Sequence, residues 1–323
     1  MTGVYQPGKQ PELDVYGDAE QLARAAAELF VSLSASAIQA RGRFRVALSG
    51  GSTPRRVYEL LATDAFSRRL DWDSVDFFWG DERYVAAEDR DSNYRMAAEA
   101  LLRHIPVPPA NIHRVRTEIR PPAAAASAYE IEMRRAFQYP SSIPEFDLIF
   151  LGLGTNGHTA SLFPHSAALS EQSHLVVADF VAEVSMWRIT MTAPLLNHGR
   201  TVAFLVEGKQ KAEVLREVLR GPSDPQRLPA QLVAPEGRLL WMLDEAPRVN
   251  GRERREEGAR EWRRKQQSAI SAGCAWKERS RSSPVETRAL VVGLRCGWPP
   301  RAPISPSAIE PIAAGPKRWL PRS

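Results

Sequence analysis

Short apolar runs alternate with helix-like segments along most of this chain, and several of the runs end in a loop that contains glycine. The runs are rich in Val, Ile, Leu and Phe, as buried strands are. Strands that alternate with helices usually pair in parallel, because each helix carries the chain back across a face of the sheet. The pattern therefore predicts an α/β fold with a mostly parallel sheet and helices on both faces.

The individual elements follow from the same alternation. We predict strands at residues 44–48, 75–79, 146–151, 187–192, 201–206 and 239–243. We predict helices at residues 18–40, 55–66, 92–104 and 209–220. Asp18 is the predicted N-cap of the first helix, and Pro54 is predicted at the first position of the second.

The chain changes character after Ala246. Residues 248–323 hold 17 of the 43 Lys and Arg residues but only 7 of the 38 Asp and Glu residues, so the preceding part is net acidic. The basic part has no apolar period, which is typical of disorder. We predict a catalytic domain at 1–246 and a basic, disordered tail at 247–323. The tail is interpreted either as a natural accessory segment or as sequence read through beyond the end of the gene.

Cysteine content and hydropathy exclude several classes of protein. Both cysteines, Cys274 and Cys296, lie in the basic part, which excludes a disulfide framework, a thiolate metal cage and a cysteine nucleophile for residues 1–246. No apolar stretch is long enough to span a membrane, and the first residues lack the pattern of a signal peptide. We expect a cytoplasmic protein with no membrane partner, and the sequence leaves open a monomer or a small homo-oligomer.

Two polar loops follow predicted strands at the sheet edge where α/β proteins bind ligands. The first contains two glycines and two hydroxyl side chains, Gly50, Gly51, Ser52 and Thr53. Its glycines allow a ligand close to the backbone, and the following helix offers free N–H groups to an anion. It lacks the Gly-Lys-Ser/Thr ending of a nucleotide P-loop. The second loop, Asp81-Glu82-Arg83, is interpreted either as part of a site or as a salt-bridged surface turn.

A third loop holds His158 between glycines, after the strand at 146–151. A histidine in a glycine loop at a strand end is expected to face solvent or ligand rather than the core. Neutral imidazole is the side chain best matched to activating water near pH 7. His158 and His165 lack companion ligands at metal spacing, so we predict no metal site.

Six segments occur in the order typical of one known family. ALSGGSTPRRVYELL, FFWGDERYV, DSNYRMAAEALL, DLIFLGLGTNGHTASLFP, WRITMTAPLLN and VEGKQKAEVL resemble 6-phosphogluconolactonases, over about residues 14–246. The resemblance implies the glucosamine-6-phosphate isomerase-like fold, a modified Rossmann-like sandwich. It also implies hydrolysis of 6-phospho-D-glucono-1,5-lactone, the second step of the pentose phosphate pathway. This chemistry requires no metal or organic cofactor.

The resemblance also implies roles for single residues. His158 matches the general base, and Arg83 and Lys211 match the phosphate-binding cations. Arg188 matches an active-site arginine that can face a developing oxyanion. The loop Gly50–Thr53 matches the phosphate-side loop, and Asp81 is assigned to the substrate-binding residues.

Position 156 departs from the family pattern. The family often carries aspartate two residues before the histidine, whereas this chain has Asn156. Asparagine can orient the imidazole ring by hydrogen bonding, but it cannot stabilise imidazolium as a carboxylate does. Asn156 is therefore a predicted catalytic-site residue whose effect on the base is open.

Two other functions remain open. A glucosamine-6-phosphate isomerase or deaminase shares the fold, but its histidine loop usually reads GHIAF-like and not GHTASLFP. A sugar-phosphate-binding regulator would need a DNA-reading module, and the first seventeen residues are too short for one. The basic tail can contact nucleic acid only nonspecifically, so we expect no specific nucleic acid partner. The expected ligand is a small sugar phosphate.

Overall fold

A computed structural model describes residues 11–138 and 143–245. The predicted tail at 247–323, its disorder and both cysteines lie outside the described residues, so those predictions and the domain boundary at 246 stay predictions. No helix in the described part of the chain is long and apolar enough to cross a membrane.

The described residues include nine strands and seven α-helices, together with short 3-10 helices and loops. The strands are β1 Glu12–Tyr16, β2 Phe44–Leu48, β3 Val75–Trp79, β4 Asp81–Arg83, β5 Leu148–Gly152, β6 Val176–Val181, β7 Met186–Met191, β8 Thr201–Val206 and β9 Arg238–Asp244. The α-helices are α1 Ala19–Arg41, α2 Ser52–Leu61, α3 Asp64–Ser67, α4 Asn93–Ala100, α5 Pro122–Phe137, α6 Ala193–Asn197 and α7 Ala212–Arg220.

Six strands form one sheet in the order β1-β9-β8-β5-β2-β3, and every neighbouring pair is parallel. Successive side chains of a strand enter opposite cores, as the pleat requires. In β8, Phe204 belongs to the core that includes residues of α5, α6 and α7, and Leu205 belongs to the core that includes residues of α1, α2 and α4. The inner strands are buried on both faces, which explains their continuous apolar runs. The predicted sandwich with a mostly parallel sheet is confirmed.

A second, antiparallel sheet of three strands, β4-β7-β6, was not predicted. β4 follows β3 after the single residue Gly80, so the chain leaves the large sheet and at once begins the small one. The predicted strand at 187–192 is present as β7, but it belongs to this small sheet. β4 has three residues, too few to show any period in the sequence.

Local boundaries differ from the prediction around α2. This helix begins at Ser52, so Pro54 is its third residue and not its first. The helix ends at Leu61, and a separate short helix, α3, covers part of the predicted length. Gly51 precedes α2 with φ = 110°, in the left-handed region that favours glycine.

Candidate active site

The loops that follow β2 and β5 converge on one cleft of about 220 Å³ with the segment after β3. The segment Asp81-Glu82-Arg83, predicted as a loop, is strand β4, because it pairs with β7. The two loops and this segment lie at the carboxyl ends of the parallel strands β2, β3 and β5, where the sheet topology predicts a ligand site. The residues that line the cleft are 49–54, Asp81, Arg83, Asn93, 152–154, His158, Ala160, Leu205 and Lys211. Asn156 contacts His158 from outside the lining, and Arg188 is not a lining residue.

The N-terminus of α2 forms one wall of the cleft. No side chain caps this ten-residue helix, so the N–H groups of Ser52 and Thr53, which precede Pro54, are available to an anion. Gly50 is required by a close approach, because a Cβ there would lie 2.0 Å from Oδ1 of Asn93. Thr53 donates its hydroxyl proton to Glu207 at 3.0 Å, which fixes the start of the helix.

The two carboxylates of β4 have different roles. Asp81 accepts hydrogen bonds from the hydroxyl of Ser161 at 2.6 Å and from the amide of Asn93, and it lines the cleft. Glu82 is buried and accepts the backbone N–H groups of Asn93 and Tyr94 at the start of α4. Burial raises the pKa of Glu82, although these hydrogen bonds oppose the shift. Glu82 therefore stabilises the start of α4, whereas the Asp81 carboxylate is part of the cleft wall.

Arg83 and Arg188 lie opposite each other on the antiparallel strands β4 and β7. Arg83 donates to the carbonyl of Asp91 at 2.6 Å, while the buried Nε atoms of both arginines lack a partner among the described residues. Burial lowers the pKa of Arg188; Asp81 raises it and Arg83 lowers it further. The two guanidinium groups therefore form a cationic pair with unused hydrogen-bond donors.

Lys211 enters the cleft from a short 3-10 helix between β8 and α7. Burial lowers the pKa of its ammonium, and the negative charges of Glu207 and Asp244 oppose that shift. No carboxylate in residues 11–138 or 143–245 forms an ion pair with it. Its charge is free to meet an anion in the cleft.

The imidazole of His158 is held at its Nδ1 atom. Nδ1 lies 2.6 Å from Oδ1 of Asn156, and the other end of that amide, Nδ2, donates to Glu183 at 2.8 Å. The Glu183 carboxylate accepts hydrogen bonds only, so Nδ2 must face it and Oδ1 must face the ring. Nδ1 therefore carries the proton, and Nε2 has a free lone pair. The ring stacks on Phe163 with the ring centres 4.1 Å apart.

The surroundings of His158 favour its neutral form. Burial is the main cause that lowers its pKa, and Arg188 and Lys211 lower it further. Asp81 and Glu183 act in the opposite direction but do not cancel the burial. A neutral imidazole with a free Nε2 is the form that accepts a proton from water.

The absence of a side chain at Gly154 leaves the space that the imidazole of His158 occupies. A Cβ at this position would lie 2.1 Å from Nδ1 of His158, so Gly154→Ala is expected to displace the ring. Because small displacements of a catalytic group are costly, we expect kcat for the reaction proposed below to fall by about 10²-fold. The measurement is steady-state kinetics together with a thermal melt.

Gly80→Ala is the matched control for this substitution. A Cβ at Gly80 meets the Leu48 carbonyl at 3.7 Å, an ordinary contact, and Gly80 does not line the cleft. We expect it to keep its turnover. Equal kinetics for Gly154→Ala and the parent protein would contradict a precise requirement for the ring position.

Three residues of the site were not singled out in the sequence: Asn93, Ser161 and Glu183. Asn93 and Ser161 lie inside segments that carry the family resemblance, and their partner Asp81 precedes them by 12 and 80 residues. Glu183 follows Asn156 by 27 residues, and nothing in the sequence connects the two. In the described part of the chain, no three His, Cys, Asp or Glu side chains gather as metal ligands would.

Comparison with known proteins identifies the family. A family model described as glucosamine-6-phosphate isomerases/6-phosphogluconolactonase matches residues 17–241. The chain is 42% identical over 236 residues to a 6-phosphogluconolactonase of Synechocystis sp., which covers 73% of this chain and 96% of that protein. A solved 6-phosphogluconolactonase from Trypanosoma cruzi matches with a TM-score of 0.67 at 29% identity, over 77% of this chain and 99% of that one. The chain therefore belongs to the glucosamine-6-phosphate isomerase/6-phosphogluconolactonase family.

Proposed function

We propose that this protein hydrolyses 6-phospho-D-glucono-1,5-lactone to 6-phosphogluconate, as in the oxidative pentose phosphate pathway. The observation that carries the proposal is His158, with Nδ1 anchored on Asn156 and Nε2 free at the wall of a cationic cleft. The relatives named 6-phosphogluconolactonase support the same substrate.

The reaction needs a nucleophilic water and a place for the developing oxyanion. Nε2 of His158 takes a proton as the water oxygen bonds to the lactone carbonyl carbon. Arg188, or a backbone N–H of the glycine loops, stabilises the negative charge on the carbonyl oxygen. When the ring C–O bond breaks, the imidazolium returns its proton to the leaving oxygen. The products are the open-chain acid and a neutral His158.

The phosphate group binds at the cationic part of the cleft. Arg83 and Lys211 supply charge, and the hydroxyl of Ser52 with the backbone N–H groups of Ser52 and Thr53 supplies hydrogen-bond donors. Asp81 orients the sugar, since its carboxylate is held by Ser161 and Asn93. No metal or organic cofactor takes part in this mechanism.

A product assay tests the proposal. The purified protein is mixed with freshly made 6-phospho-D-glucono-1,5-lactone, and acid release is followed above the spontaneous hydrolysis. We expect acid release from the lactone and no ammonia from glucosamine 6-phosphate. Ammonia release without lactone hydrolysis would identify a deaminase instead. Binding of sugar phosphate without either product would identify the regulator class.

A further inference from the structure

Glu183 joins the surroundings of His158 from a different part of the chain. It lies in the short turn between β6 and β7, is exposed to solvent, and does not line the cleft. Its Oε2 accepts the Nδ2–H of Asn156 at 2.8 Å, and Oδ1 of the same amide accepts the Nδ1–H of His158 at 2.6 Å. A continuous chain of hydrogen bonds thus runs from a carboxylate to the imidazole.

The neutral amide of Asn156 transmits the effect of the Glu183 charge to the His158 ring. A carboxylate that accepts a hydrogen bond from Nδ2 polarises the amide and leaves more negative charge on Oδ1. Oδ1 also accepts the backbone N–H of His158 at 3.1 Å, so the amide is fixed to both the ring and the loop. An imidazolium formed at His158 therefore has a partner with partial carboxylate character.

We propose that Glu183 is a positioning residue that holds the Asn156 amide and stabilises the imidazolium form of His158 through it. Glu183 thereby supplies, one residue removed, the negative charge that an aspartate at position 156 would supply directly. The kinetic part of this inference rests on the proposed function, whereas the effect on the His158 ring does not.

Other charges also act on His158. Asp81 on β4 is negative but is held by Ser161 and Asn93, and it forms no hydrogen bond with the ring. Arg188 on β7 and Lys211 before α7 are positive and disfavour the imidazolium. Among residues 11–138 and 143–245, Glu183 is therefore the carboxylate with a hydrogen-bonded path to Nδ1.

Glu183→Gln is the first test, because glutamine keeps the shape and can still accept from Asn156. Removal of the negative charge disfavours imidazolium, so the pKa of His158 falls and the acidic limb of kcat/KM moves to lower pH. We expect kcat to fall about three- to tenfold with KM unchanged within about twofold, the range for loss of one charge-assisted hydrogen bond near solvent.

Glu171→Gln is the matched control. The carboxylate of Glu171 lies 3.4 Å from Nδ1 of His174, and neither residue lines the cleft. We expect its substitution to leave kcat and the His158 titration unchanged. An equal loss in both variants would mean that the effect is one of overall charge, and it would overturn the proposal.

The second test moves the carboxylate from position 183 to position 156, next to the imidazole. Asn156→Asp alone sets two carboxylates against each other and removes the Nδ2–H between them, so we expect a loss of activity. In the double variant Asn156→Asp/Glu183→Gln, the new glutamine amide can donate to the introduced aspartate, and a carboxylate contacts the ring directly. We expect the acidic limb to move above that of the parent and kcat at pH 8 to return to within about twofold of it.

Titration of the His158 ring by NMR in the ligand-free protein separates this inference from the proposed function. A lower His158 pKa in Glu183→Gln, with the parent inactive on the lactone, would leave the inference standing and remove the proposed function. An unshifted pKa would overturn the inference whatever the activity. A double variant no better than Asn156→Asp alone would overturn it as well.

Discussion

Replacement of His158 by glutamine is expected to lower kcat for lactone hydrolysis by ~10²–10⁴-fold, the usual contribution of a general base. Glutamine has nearly the reach of histidine, and it can keep a hydrogen bond to Asn156, but it cannot take a proton from water at neutral pH. The loss should appear in kcat more than in KM, because the base acts on the water and not on the phosphate. The measurement is acid release, corrected for spontaneous opening of the lactone.

His174→Gln serves as the control for this prediction. His174 has an exposed side chain, and it pairs with Glu171 away from the cleft. We expect its kinetics to match the parent protein, and a thermal melt should show that both variants fold. Turnover of His158→Gln equal to that of the parent would exclude His158 as the base.

Substitution of the two cleft cations is expected to separate phosphorylated from unphosphorylated substrate. Arg83→Ala and Lys211→Ala should each lower kcat/KM for 6-phospho-D-glucono-1,5-lactone by about 30- to 100-fold, as expected for loss of a charge-assisted contact in a part-buried site. For glucono-1,5-lactone, which lacks the phosphate, we expect a change of less than about threefold. The ratio of the two effects measures phosphate recognition directly.

Nearby exposed cations provide the controls for this pair. Lys209→Ala changes an exposed lysine of the same 3-10 helix, and Arg90→Ala changes an exposed arginine, with neither residue in the cleft. We expect both to leave the substrate preference unchanged. If Arg83→Ala and Lys211→Ala impair the two lactones equally, these residues serve the reaction centre or the fold and do not bind the phosphate.

The sheet could be predicted because its inner strands are buried on both faces. Burial makes β2, β5 and β8 continuous apolar runs, which are recognisable without any partner. β1 and β6 escaped prediction because they are edge strands with exposed or half-buried residues, which weakens the apolar signal. α5 escaped because its alanine-rich first half carries little amphipathic pattern.

The candidate site, like the sheet, has features that could be predicted from the sequence and features that could not. The sequence by itself determined the ligand loops, since parallel strands must bring their carboxyl ends, and with them Gly50, Asp81 and His158, to one edge of the sheet. Only the tertiary structure decided that Asp81, and not Glu82, lines the cleft. It also decided that Glu183 accepts a hydrogen bond from Asn156. These contacts depend on where the small antiparallel sheet packs. Its register and turns join residues remote in sequence, and no local pattern specifies such pairings.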